Sequence, residues 1–151
     1  MMMFILALTV ISCGTSKVAV DDRTVQEKMN SKRYTFLADH VYPTGGFRSR
    51  YLSPGYDLKI TPDTISAYLP YFGRAYQADY GSTDGGIKFT STDFEYKIEQ
   101  GKKPGNWIVN IRTKDQRKEV TLTLNVWNNG KASLDVHDQT KQPILFQGEL
   151  E

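Results

Sequence analysis

A chain of 151 residues, 39% hydrophobic and 24% charged, carries enough apolar side chain for one folded domain and is neither disordered nor low-complexity. Its formal net charge of +2, from 19 basic and 17 acidic residues, is too small and too evenly mixed for the basic footprint of a nucleic-acid-binding protein. One cysteine excludes an internal disulfide, a CxxC redox pair and the cysteine spacings of structural zinc sites.

Residues 4–11 (FILALTVI) form an uninterrupted apolar run directly before Ser12, Cys13 and Gly14. That run is far short of the ~20 residues that span a bilayer, so residues 1–12 are expected to be a signal peptide that is removed. The string VISC at 10–13 resembles the bacterial lipobox, with Val10 in the aliphatic position and Ser12 before the cut. The resemblance implies that Cys13 becomes a lipidated N-terminus bearing a thioether-linked diacylglycerol and an N-acyl chain. Two or more chains anchor a protein stably where one does not. The alternative is that Cys13 is an ordinary small residue closing a secretory leader. Met1-Met2-Met3 lacks the Lys or Arg usual before an apolar run, which leaves room for a start further upstream. Residues 13–22 read as a lipidated tether. Gly14 stands where an aspartate would signal inner-membrane retention, so residence in the outer membrane is expected.

Residues 23–151 read as a single antiparallel β domain with one short helix. Thr24-Val25-Gln26-Glu27 fits the S/T-x-x-E capping box, and Val25 and Met29 share a face, which predicts a helix from Thr24 to Ser31. From Tyr34 the apolar pattern changes to period two, punctuated by Gly, Pro, Asn and Asp. Five hairpins follow from pairing like faces. A Thr61 to Thr64 loop sets Ile60 against Ile65 and Leu58 against Ala67. A Gly101 to Pro104 loop sets Ile98 against Trp107 and Tyr96 against Val109. A Lys114 to Arg117 loop, within the charged run KDQRKE, sets Ile111 against Val120. Asn128-Asn129-Gly130, with Gly130 left-handed, sets Val126 against Ala132 and Leu124 against Leu134. A Gln139 to Lys141 loop sets Val136 against Ile144 and Leu134 against Phe146. Short loops between sequence neighbours make a meander, and the expected architecture is mainly β (α+β): about eight strands, strongly curved or barrel-like, with the helix covering part of the sheet. The Gly- and Pro-rich stretch 43–55, with Arg48 and Arg50, reads as a surface loop.

The octapeptide LPYFGRAY (69–76), DGGIKF (84–89) and the paired strands after them resemble a domain-of-unknown-function family of small envelope lipoproteins from bacteroidete bacteria. The resemblance runs from about Thr35 onward. It implies a secreted or lipid-anchored single domain and supplies no reaction, substrate or catalytic residue.

Tyr68, Tyr71, Phe72, Tyr76 and Tyr80 crowd one stretch with Arg74 among them. Packing is the commoner role of such clusters in β proteins and is the reading favoured for the rings as a group. Rings and Arg also supply much contact area at little entropic cost, so Tyr71, Phe72, Arg74 and Tyr76 are the candidate ligand or partner surface. DYGSTDGG (79–86) lacks the alternating acids of a calcium loop and reads as a polar connection. His40 and His137 have no second ligand at metal spacing, and no GxSxG, GxGxxG or P-loop string occurs. No cofactor, metal site or catalytic residue is therefore assigned. The leading expectation is a non-catalytic binding domain in the envelope, held to the membrane through Cys13, with an envelope protein or a glycan as partner and no role in nucleic-acid binding. The alternatives are an envelope hydrolase using carboxylates, with Asp79 and Asp84 as nominal acids, and a structural assembly protein.

Overall fold

The structure, a computed structural model, describes residues 22–76 and 85–151. The expected signal peptide, Cys13, most of the expected tether, and Asp79, Tyr80 and Asp84 lie outside the described residues. Helix α1 (Asp22–Ser31) starts two residues before the expected Thr24, so Thr24 lies inside its first turn rather than ahead of it. A capping motif marks a helix start only to within a residue or two. The expected stripe holds: Val25 and Met29 are fully buried. The helix ends in a Schellman motif, with Lys32 left-handed (φ 53°), its amide donating to Met29 O (3.2 Å) and the Arg33 amide to Lys28 O (3.2 Å).

Ten strands follow: β1 (Tyr34–Pro43), β2 (Arg50–Tyr51), β3 (Asp57–Ile60), β4 (Ile65–Leu69), β5 (Ile87–Ser91), β6 (Phe94–Gln100), β7 (Asn106–Thr113), β8 (Val120–Trp127), β9 (Lys131–Asp138) and β10 (Ile144–Leu150). They form one antiparallel sheet in the order β5-β4-β3-β1-β10-β9-β8-β7-β6, with β2 beside β1. The two ends of that order, β5 and β6, are consecutive in the chain and separated only by Thr92 and Asp93. A single bent run thus pairs with β4 through its first half and with β7 through its second, curling the sheet into a nearly closed barrel. The count exceeds the expected eight because this run divides into two strands and Arg50–Tyr51 adds a short one.

Alternation decides what the barrel encloses. Val120, Leu122, Leu124 and Val126 of β8 face inward beside Ala132, Leu134 and Val136 of β9, and Phe146 of β10 is fully buried among them. In β1 the alternation skips at Asp39: Ala38 pairs with Gly148 but His40 with Gln147, a bulge that turns Val41 back inward. Three hairpins have the expected registers: Ile60 opposite Ile65, Leu124 opposite Leu134 with Gly130 at φ 79°, and Val136 opposite Ile144. Two are corrected by two residues. Ile98 faces Val109 rather than Trp107, because the loop slides to place Gly105 at φ 73° and Gly101 donates to Asn106 O (2.7 Å). Ile111 faces Leu122 rather than Val120, because the connection from Lys114 runs on to Glu119.

That longer turn grips the bend of the β5–β6 run. Asp115 accepts from the Ser91 hydroxyl, the Thr92 amide (2.8 Å) and the Asp93 amide (3.3 Å), while Gln116 Nε2 donates to Thr90 O (2.7 Å). The Ser91 hydroxyl, followed by the Thr92 amide, holds the Asp115 carboxyl well below the usual carboxylate range. A depressed folded-state value contributes stability that is complete above the unfolded value, near about 3.9, and is lost as pH falls through the folded one. Asp115→Asn is therefore expected to flatten the acid limb of stability below about pH 4 and to lower stability at neutral pH, read as the urea midpoint across a pH series.

The helix is tied to the sheet through two phenols. Tyr96 OH donates to Met29 O (2.9 Å) and lies 3.0 Å from the buried Tyr34 OH. Burial raises the pKa of both phenols, keeping them neutral donors. Tyr96→Phe removes one of the two donors to the Met29 carbonyl and leaves the buried Tyr34 hydroxyl short of a partner, and is expected to cost about 1 to 3 kcal/mol in chemical denaturation.

Candidate functional site

Past Leu69 the chain leaves β4 and crosses one end of the barrel as far as Tyr76. Its path is fixed mainly by backbone. The Tyr76 amide donates to Thr140 O (2.6 Å), the Gln142 amide to Arg74 O (3.1 Å), and Ala75 bridges Lys141. The half-buried Tyr71 hydroxyl is shared between Arg74 O (2.9 Å) and Gln142 O (3.2 Å), and burial pushes its pKa up. A Cβ at Gly73 would lie 2.6 Å from that hydroxyl, so a side chain there would have to displace the Tyr71 ring. From the other side Thr44 Oγ1 donates to Pro143 O (2.8 Å), so the stretch 43–55 is stitched to this end of the barrel.

The four candidate residues accordingly divide. Tyr71 is a brace, and Phe72 is half-buried beneath the Arg50 guanidinium, 4.3 Å from its ring centre. Arg74 is exposed, with no acid paired to its guanidinium among the described residues, and Tyr76 is 66% exposed. Tyr68 also stands out on the wall, stacked on Tyr56 (5.7 Å) and covered by Lys88 Nζ (4.6 Å). Packing therefore accounts for Tyr71 and half of Phe72, and leaves Tyr68, Arg74 and Tyr76 at the surface.

Arg50, Lys88 and Lys141 went unassigned in the sequence. Lys88 stands opposite Tyr68 across β4 and β5, a pairing that the long connection between those strands concealed. Lys141 is buried, with Nζ 3.2 Å from Gly86 O, 3.9 Å from Asp138 Oδ2 and 5.6 Å from the Tyr71 ring centre. The two histidines lie elsewhere: His40 packs between Tyr42 and Tyr51 (4.6 and 4.4 Å), and His137 Nε2 is 3.3 Å from Asp135.

A family model described as a domain of unknown function (DUF4251) matches residues 16–150. The chain belongs to the DUF4251 family. A crystal structure of a DUF4251 family protein from Bacteroides eggerthii DSM 20697 aligns with a TM-score of 0.63 over 87% of each chain at 12% identity, a likeness of fold alone. Comparison with curated proteins returns no match. The DUF4251 fold thus supplies the scaffold, and any function has to be argued from the surface it presents.

Proposed function

We propose that the protein is a lipid-anchored component of the bacterial outer membrane that acts as a non-catalytic binding domain, engaging an envelope protein or a glycan through the barrel end built from residues 68–76. The observation that carries this reading is the exposure of Tyr68, Arg74 and Tyr76 on a segment held by backbone hydrogen bonds. A fixed surface loses little entropy when it engages a partner, and exposed rings with an arginine beside them suit both sugar rings and peptide side chains. The apolar run at 4–11, followed by Ser12 and Cys13, supports the anchor. It would leave the tether to enter at helix α1, which packs at the Tyr34 end of β1, away from residues 68–76.

Two tests address the two halves. Cys13→Ala should release the protein into the soluble fraction, whereas retention that still needs detergent refutes lipidation. Partners captured from native membranes by the wild type should be lost from the Arg74→Ala/Tyr76→Ala variant, and undiminished capture refutes the surface. Both positions are exposed, so the double variant is expected to keep its fold.

A further inference from the structure

Three segments meet at the barrel end that carries Phe72: residues 40–56, 64–76 and 138–143. Thr44 Oγ1 donates to Pro143 O (2.8 Å), the Arg74 amide donates to Gln142 Oε1 (3.3 Å), and the Arg50 guanidinium lies 4.3 Å from the Phe72 ring centre. The free charge they bring is of one sign. In a chain with 17 acidic residues, 40–56 and 64–76 contain Arg48, Arg50 and Arg74 and no Asp or Glu. The one acid of the third segment is already engaged: Asp138 Oδ1 accepts from the Thr140 amide (2.8 Å) and hydroxyl (2.7 Å), and Oδ2 lies 3.9 Å from Nζ of the buried Lys141.

Arg48, Arg50 and Arg74 are all exposed, and none forms an ion pair with an acid among the described residues, whereas Arg112 on the barrel wall pairs with Glu119 (3.5 Å). The Phe72 ring does not neutralise Arg50. It carries no net charge, and a guanidinium over a ring keeps outward N–H donors that can receive a carboxylate. Uncompensated guanidinium groups on a fixed surface are complementary to an anionic partner. The faces of Phe72 and Tyr68 are covered by Arg50 and Lys88, so little ring face beyond the exposed Tyr76 is left for stacking on sugars. Arginines on separate segments of an open surface match carboxylates spaced along one chain better than a single compact anion. We infer that this end binds an acidic peptide segment of an envelope protein, with carboxylates on Arg50 and Arg74 and a neighbouring side chain against Tyr76.

This inference rests on the reading of residues 68–76 as a binding surface and narrows the partner to an acidic protein segment. The test is fluorescence anisotropy of a labelled peptide alternating glutamate and alanine, titrated with the full-length protein beside the same peptide carrying glutamine for glutamate. The glutamate peptide is expected to bind saturably, on the order of tenfold more tightly than the glutamine peptide, and to weaken as salt rises. Arg50→Gln and Arg74→Gln, both at exposed positions, should keep the thermal melt of the wild type and each weaken the glutamate peptide about fivefold. Arg112→Gln, which removes the same charge elsewhere, should leave the affinity unchanged. Polygalacturonate and phosphatidylglycerol vesicles serve as competitors that present an acidic glycan and an anionic lipid surface. Equal binding of the two peptides, undiminished binding by Arg50→Gln or Arg74→Gln, an equal loss in Arg112→Gln, or tighter binding of either competitor through the same arginines overturns the inference. Capture of a membrane partner that is lost from Arg74→Ala/Tyr76→Ala yet unaffected by excess glutamate peptide would overturn only this narrowing, whereas undiminished capture by that variant overturns the broader reading, so the two failures are distinguishable.

Discussion

Gly148→Ala should destabilise the protein by about 3 kcal/mol or more, among the largest effects expected of any single methyl group in the chain. A Cβ built there overlaps the Leu37 carbonyl oxygen, and lies 2.8 Å from the Leu37 carbonyl carbon and 3.1 Å from Ala38 Cα. These are backbone atoms, so no rotamer change relieves the overlap. They are also the atoms beside the bulge at Asp39, where β1 and β10 pair and the first long strand of the sheet is joined to the last. Relief would require the two strands to separate just where the bulge restores Val41 to the core. At about 4 °C per kcal/mol for a domain of this size, thermal unfolding should begin some 10 °C or more below the wild type. Calorimetry of Gly148→Ala beside Gly46→Ala is the measurement. Gly46 also has a positive φ (87°) but nothing within 4 Å of its Cβ position, so its cost should be confined to backbone strain of about 1 kcal/mol.

The second large effect belongs to Leu134. It is fully buried opposite Leu124, at the centre of the β8–β9 pair, and Phe146 of β10 lies opposite it on the other side. Leu134→Ala removes three buried carbons and leaves a cavity walled by two well-ordered strands that cannot easily collapse, for an expected loss of about 3 to 4 kcal/mol in urea unfolding. One residue from Leu124, Thr123 lies on the opposite face of β8, where its hydroxyl donates to Asn110 Oδ1 (3.1 Å). Thr123→Ala should cost no more than about 1 kcal/mol. A similar loss at both sites would mean that the two faces are not distinguished as described.

Much of the barrel was legible because alternation is a strong signal when one face is buried. Leu122, Leu124 and Leu134 were expected inside and are there. The limits of that signal are equally physical. Sliding a hairpin by two residues returns every side chain to the same face, so the apolar pattern could not separate Ile98 opposite Trp107 from the observed Ile98 opposite Val109. Turn geometry decided between them, through Gly105. The hairpin at Asn128–Gly130 was read correctly because the competing two-residue turn shifts pairing by one and puts Leu124 opposite Asp135. The bulge at Asp39 was missed because it depends on a partner strand far along the chain. The bend at Thr92–Asp93 was likewise hidden: Asp115 fixes it from a turn that reads only as a charged run.

The surface was less legible. LPYFGRAY announced a ring cluster with an arginine, yet its composition does not say which ring faces out. Tyr71 turns inward because two carbonyls await its hydroxyl, and Tyr76 turns outward because its backbone is held to Thr140. Arg50 and Lys88 joined the site only through pairings between segments distant in sequence.

The central claim is that the barrel end carrying Tyr68, Arg74 and Tyr76 is the face that meets a partner. Its most direct test places a photo-crosslinking side chain at Tyr76 in the full-length protein mixed with native membranes, with a second at Trp127, at the far end of β8 from Val120, as the control. Discrete adducts from position 76 that vanish with Arg74→Ala, and none from position 127, are the predicted result. Adducts of equal yield from both ends, or none from position 76, would contradict it.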